Sequence, residues 1–236
     1  MVVAAISATV AALIMIYSTK IPFLIRDYWD RVFNVTRILP AWWLFIFLFI
    51  PVVNMSSLLI SLLFGKSPLQ LQFEQQFLSN PLIFILTMFI YGPLPEELGW
   101  RGYGIDSLRS RLNLFNASLV LALIWSIWHI PLFFLEGSYQ NQLLHYLPGL
   151  IAFFVALIPT EIITDWIFYK NNRSTLSAIL FHFSVNFSGE LLQFDPFTKV
   201  IQAILLIAIA ALIVVKDRKM FFTKEFDIKF FEATSH

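Results

Sequence analysis

The sequence predicts an all-α fold, a polytopic membrane helix bundle of about seven transmembrane helices forming one membrane domain over residues 1–236. Three observations predict it. Hydrophobic residues make up 58% of the chain, charged residues 13%, and mean hydropathy is +0.76, whereas soluble domains carry about 25% charged residues. Seven stretches are long and apolar enough for a hydrocarbon core that takes roughly 17–25 helical residues to cross. Lys and Arg fall on alternate connections between those stretches, as they do in membrane proteins of fixed orientation.

The seven expected spans are Val2–Thr19, Ala41–Phe64, Pro81–Ile105, Phe115–Leu135, Leu147–Tyr169, Ser174–Phe194 and Phe197–Val215. The first lacks a basic leader and a small-residue cleavage site, which makes it a retained span rather than a signal peptide. Pro22–Pro40 and Gly65–Asn80 read as amphipathic connectors with aromatic residues near their ends, as interfacial segments have. The third span is the least regular, because Gly92, Pro93 and Pro95 interrupt it. Residues 216–236 form a charged, aromatic cytoplasmic tail, and the motif-bearing core is 81–194.

Lys20, Arg26, Arg31, Arg37, Arg101, Arg109, Arg111, Lys170, Arg173, Lys216, Arg218, Lys219, Lys224 and Lys229 fall on one set of connections, and Lys66 and Lys199 on the other. Fourteen against two places the N-terminus outside and the C-terminus in the cytoplasm. The net charge of +1 and the want of a basic patch argue against nucleic acid as a partner. The chain has no cysteine, which excludes disulfides and thiolate chemistry. No second half mirrors the first, as it would in many secondary transporters.

Against this apolar background the segment Pro95-Glu96-Glu97-Leu98-Gly99-Trp100-Arg101 stands out. Ionisable side chains in hydrocarbon cost about 2.5–3.5 kcal/mol each on insertion scales and mark functional sites. Glu97 and Arg101, four residues apart, share a helical face within ion-pair reach; Glu96, rotated about 100° from Glu97, points elsewhere. One acid can then be neutralised while the other stays available for chemistry. Pro93 and Pro95 remove backbone donors and bend the helix here.

The fourth span carries Trp125-Ser126-Ile127-Trp128-His129-Ile130-Pro131, an imidazole in an aromatic wall with a kink beyond it. The sixth carries His182 and Asn186 one turn apart on a common face. Counted from the cytoplasmic ends of the spans, Glu96 and His182 lie roughly 12–13 Å deep and Asn186 and His129 roughly 18–21 Å. The cytoplasmic side is the nearer route for water to Glu96. Taken alone, the Glu97–Arg101 pair reads as structural, His129 as a packing histidine, and His182 with Asn186 as a helix-knitting pair of about 0.6 kcal/mol per hydrogen bond. Together, a carboxylate, two imidazoles and an amide from three spans supply a base, a proton shuttle and oxyanion donors.

Other polar positions carry less. On the fifth span Glu161 reads as an accessory or structural acid, and Asp165 as an acid hydrated near the cytoplasmic end. Glu190 and Asp195 sit near the external end of the sixth span and face water, and His145 on an external loop has no partner to name.

These residues are where the chain resembles a known family, the CAAX-processing and bacteriocin-processing membrane endopeptidases (Abi or CPBP proteins), related to the Ras-converting protease. Their Glu-Glu-x-x-x-Arg, Phe-x-x-x-His and His-x-x-x-Asn/Asp motifs match Glu96-Glu97-x-x-x-Arg101, Trp125-x-x-x-His129 and His182-x-x-x-Asn186 over about residues 91–186. Trp125 stands where the family usually has Phe. The resemblance implies water activation by Glu96 with His129, oxyanion stabilisation by His182 and Asn186, and structural roles for Glu97, Arg101 and Trp125. The family was once described as metalloproteases. Two His and one or two Glu could bind zinc, yet no HExxH arrangement is present, so the expectation is a glutamate mechanism without metal or other cofactor, with zinc as the alternative.

The expected function is therefore intramembrane endopeptidase activity on a membrane-associated protein or peptide, in a prokaryotic cell membrane, through a glutamate-activated water. A non-catalytic immunity or scaffold protein of the same fold is the alternative, and a proton-coupled transporter a third reading. No recognition motif separates prenylated proteins from pheromones or bacteriocin precursors.

Overall fold

The computed structural model describes residues 2–224; the part of the expected tail beyond Lys224 lies outside the described residues. Those residues are almost entirely helical. In chain order they form α1 (Val2–Ser18), α2 (Pro22–Phe33), α3 (Pro40–Leu63), α4 (Gln75–Ser79), α5 (Pro81–Ile90), α6 (Pro93–Gly99), α7 (Ile105–Arg109), α8 (Leu114–His129), α9 (Tyr139–Leu143), α10 (Leu147–Lys170), α11 (Thr175–Glu190), α12 (Pro196–Lys216) and α13 (Arg218–Phe222). The helices start where the sequence supplies starts: Pro opens α2, α3, α5, α6 and α12, where a missing N–H costs nothing, and Asn113, Ser174 and Asp195 cap α8, α11 and α12 with side-chain oxygens.

Among the described residues five helical stretches are long and apolar enough to cross a membrane: Pro40–Leu63, Pro81–Arg109, Leu114–Phe134, Leu147–Lys170 and Pro196–Lys216. They coincide with five of the expected spans. The other two form shorter helices, α1 with 17 residues and α11 with 16, about 24–26 Å of rise. α11 is short of apolar length because it carries Ser177, His182, Ser184, Asn186 and Ser188, and it lies against α3, α6 and α10 inside the bundle. The core where α3, α8, α10, α11 and α12 meet is built by Ile46, Ile50, Leu114, Leu121, Ile163, Ile167, Phe181 and Leu206.

The connections gather at two ends. At one, Arg37 bonds the carbonyl of Asn172, Arg173 pairs with Asp106, and Arg109 bonds the carbonyls of Met220 and Thr223. At the other, Glu74 N–H donates to the Leu191 carbonyl, Lys66 pairs with Asp195 at 3.5 Å, and Lys199 stands over the Tyr139 ring. The first is the end rich in Lys and Arg.

The irregular third span is a stack of broken pieces. α5 stops at Ile90, Gly92 takes φ −144° and ψ −85°, α6 runs for two turns, and Trp100–Gly104 widens into a π-turn before α7. Each break releases carbonyls, and in a dry environment they need other donors. Thr9 of α1 donates to the carbonyl of Pro95, Tyr28 of α2 to that of Leu98 at 2.9 Å, and Arg31 of α2 to those of Arg101 at 3.1 Å and Gly102 at 2.8 Å. A Cβ on Gly99 would stand 2.5 Å from Ala8, so α1 and α6 meet in contact that only glycine allows there. The expected connector Pro22–Pro40 holds the short helix α2, which buries Asp27, Tyr28 and Arg31 against the bundle and leaves Phe33 exposed. Arg31 pairs with Asp27 and Asp106, each at 3.0 Å, because the broken helix beside it offers carbonyls and an acid in need of a cation.

Candidate active site

Directly after the break, α6 sends its two acids in different directions, as the 100° step requires. Glu97 and Arg101 meet one turn apart, with Nη1 2.9 Å from Oε2 and 3.1 Å from Oε1. Arg101 also reaches Glu161 Oε1 at 2.8 Å and Asp165 Oδ1 at 3.2 Å, both on α10, and Asp165 accepts a 2.6 Å bond from Ser118. Arg101 and the three carboxylates are at most 1% exposed. This overturns the expectation that Asp165 is hydrated near a helix end. Glu161 and Asp165, one turn apart, each take one nitrogen of a guanidinium whose planar fork can hold several carboxylates at once.

Glu96 is 5% exposed, and its Oε2 accepts a hydrogen bond from Trp125 Nε1 at 2.7 Å. Trp125 is thus more than an aromatic wall. It supplies an N–H that the Phe of the usual motif lacks. One turn further along α8, His129 places Nδ1 2.8 Å from the Trp125 carbonyl. A carbonyl only accepts, so Nδ1 carries the proton, and in the neutral ring Nε2 holds the lone pair. The rings of Trp125, Trp128 and Phe153 stand edge-on to the imidazole at centroid distances of 5.2, 5.2 and 5.4 Å and fix its plane.

His182 reaches back to the ion cluster, with Nδ1 2.8 Å from Glu97 Oε1. Glu97, expected only to pair with Arg101, therefore also orients the second imidazole. Asn186 lies one turn further along α11. A Cβ on Gly92 would sit 3.0 Å from Asn186 Nδ2 and 3.5 Å from Glu96 Oε1, so the break in the third span brings bare backbone between the amide and the carboxylate.

Glu96, Trp125, His129, His182 and Asn186 line one cavity of about 610 Å³, walled elsewhere mainly by apolar side chains such as Met88, Leu132, Leu157, Val185 and Leu206. The cavity runs on to Glu136–Gln140, Glu190 and Lys199, at the end poor in basic residues. The shorter route to Glu96, from the basic end, was the one expected for water. The buried Glu97–Arg101–Glu161–Asp165 cluster fills it. Glu190, expected to face water, lines the cavity and stands 3.5 Å from Lys199; Asp195 caps α12, and His145 is exposed.

Among the described residues no three His, Asp or Glu side chains stand together as metal ligands would. The Nδ1 atoms of both histidines and one oxygen of Glu96 already have protein partners. Glu96, His129, His182 and Asn186, singled out from the sequence, all line the cavity; the Trp125 donor and the full ion cluster were missed, and Gly92 was read only as a break in the span. The i, i+4 spacing of Glu161 and Asp165 was the available signal for the cluster.

A family model described as Type II CAAX prenyl endopeptidase Rce1-like matches residues 78–188, a stretch that includes Glu96, Trp125, His129, His182 and Asn186. "CAAX prenyl protease 2" of Methanococcus maripaludis is 41% identical over 216 residues, covering 89% of this chain and 79% of the relative.

Proposed function

The chain belongs to the Rce1-like CAAX prenyl endopeptidase family, and from that premise we propose that it hydrolyses the peptide bond following a lipid-modified cysteine near the C-terminus of a membrane-associated protein, by means of a water activated by Glu96. The observation that carries the reading is the single cavity holding Glu96, His129, His182 and Asn186 beside apolar walls. A C-a-a-X terminus offers two aliphatic side chains after a prenylated cysteine, and both the lipid and the aliphatic residues suit those walls. In this reading the setting is a prokaryotic cell membrane; the relative comes from Methanococcus maripaludis.

In this reading Glu96 takes a proton from water and the hydroxide adds to the scissile carbonyl. His129 Nε2, a lone-pair nitrogen in the neutral ring, shares the proton with Glu96 and passes it to the leaving amine. The Asn186 amide donates to the oxyanion. His182 already donates from Nδ1 to Glu97, so a second donation from Nε2 calls for the imidazolium form, whose charge Glu97 offsets. Trp125 holds the Glu96 carboxylate in register. No step uses a metal.

The test is cleavage of a farnesylated Cys-a-a-X peptide by purified protein in nanodiscs, with and without exhaustive chelation. Wild type cuts in both conditions, and Glu96→Gln, which keeps the volume and an acceptor oxygen for Trp125, does not cut. Turnover by Glu96→Gln at the wild-type rate would remove the glutamate role. Loss of wild-type turnover on chelation, restored by stoichiometric zinc, would replace it with a metal-bound water.

A further inference from the structure

We propose that Lys199 is the docking residue for the free C-terminal carboxylate of the substrate, so that the cavity measures the distance from the scissile bond to the chain end. The inference rests on the proposed function for the identity of the peptide. It stands independently on the place, surroundings and reach of this lysine.

Lys199 is the single Lys or Arg among the described residues lining the cavity. It lies in the first turn of α12, where the helix macrodipole favours anions and disfavours a cation. A cation kept at such a position needs a negative partner, and the one present is loose: Glu190 Oε1 at 3.5 Å, with the Glu190 side chain 40% exposed. The Tyr139 side chain, with its ring centroid 4.0 Å from Nζ, holds the ammonium in place and is a neutral hydrogen-bond partner rather than a carboxylate. An ammonium has three N–H donors, and the Lys199 side chain remains 21% exposed. A substrate carboxylate entering here gains the lysine and the positive end of α12 together, and displaces a half-exposed acid.

The span fits. His182 and Glu190 are eight residues apart on α11, which is about 12 Å of helical rise, and Lys199 touches the Glu190 end of that distance. Three extended residues reach about 10 Å. A peptide whose scissile carbonyl lies beside His182 and Asn186 therefore brings its third following residue, and with it the terminal carboxylate, to Lys199. The wall between, with Val185, Leu157 and Leu206, receives the two intervening aliphatic side chains.

The experiment compares a farnesylated Cys-Val-Val-Ala peptide with its C-terminal amide. Binding to Glu96→Gln protein in nanodiscs is followed by tryptophan fluorescence, since Trp125 and Trp128 line the cavity, and cleavage is followed with the wild-type enzyme. The acid is expected to bind at least tenfold tighter than the amide. Adding Lys199→Gln should collapse that gap, Lys199→Arg should keep most of it, and Glu190→Gln, which removes the competing carboxylate, should widen it. Equal binding of acid and amide, or a gap that survives Lys199→Gln, would overturn the assignment without touching the proposed hydrolysis. An acid preference in binding with no cleavage by wild type would leave Lys199 as the carboxylate site and remove the proposed function; binding of neither peptide would remove both.

Discussion

Replacing Arg101 with Met should destabilise the protein far more than any change at Glu96, and the structure sets the size. Arg101 is 1% exposed and partners Glu97, Glu161 and Asp165 at 2.8–3.2 Å. Without it, Glu97 keeps the bond to His182 and Asp165 keeps the bond to Ser118. Glu161 keeps no side-chain partner, because its Oε2 already has none. At least one buried carboxylate is stranded, at about 3–5 kcal/mol, a large part of a total stability of roughly 5–15 kcal/mol. For a chain of this size each kcal/mol moves the melting midpoint by about 2–4 °C, so a fall of about 6–20 °C is expected. Tryptophan-fluorescence melting in nanodiscs measures it, with Glu96→Gln as the control that melts like wild type. Adding Glu161→Gln to Arg101→Met removes the stranded charge and should recover part of the loss. A single variant melting within about 2 °C of wild type, or a double variant that recovers nothing, would refute the view that this cluster is a buried ionic clamp.

Trp125→Phe restores the residue usual in the motif and deletes one hydrogen bond to a carboxylate, worth about 1.5–3 kcal/mol; kcat should fall roughly tenfold to a hundredfold at near-constant KM, and a rise in KM alone would make Trp125 a wall of the binding site instead. Asn186→Ala should lower kcat by about a hundredfold or more with little change in KM, as loss of an oxyanion donor does, and the opposite split would reassign Asn186 to substrate positioning. Reporter fusions after Glu136 and Asp195 should read outside and fusions after Arg111, Arg173 and Lys219 cytoplasmic; a cytoplasmic signal at Glu136 would invert the orientation drawn from the Lys and Arg asymmetry.

The site was legible to the extent that its chemistry is local in sequence. Glu96 and Glu97 diverge because neighbours on a helix are 100° apart, and Glu97 with Arg101, or His182 with Asn186, meet because residues four apart share a face. What crosses from helix to helix was not legible. The Trp125 bond to Glu96 spans 29 positions and the His182 bond to Glu97 spans 85; no periodicity encodes either. Asp165 was misplaced for a related reason. Distance from a helix end predicts hydration only when nothing packs over that end, and here α8 brings Ser118 and the third span brings Arg101 over it.

The direction of the cavity shows the same limit at larger scale. Counting residues from the helix ends put Glu96 nearest the basic end, which is a correct statement about distance along α6 and its continuation. Access depends instead on where side-chain volume is missing. The bare backbone of Gly92 leaves room beside Glu96, while the four-residue ion cluster and the α2 side chains that grip the released carbonyls fill the space below it. The segment thus does two things at once: bare backbone at Gly92 stands beside the acid on the cavity side, and on the other side the π-turn at Trp100–Gly104 leaves carbonyls that Arg31 takes up while Tyr28 and Thr9 bond those of Leu98 and Pro95. A substitution that frees those carbonyls, such as Arg31→Leu, acts on the cavity through the helix that carries Glu96, although Arg31 itself lies outside the cavity lining.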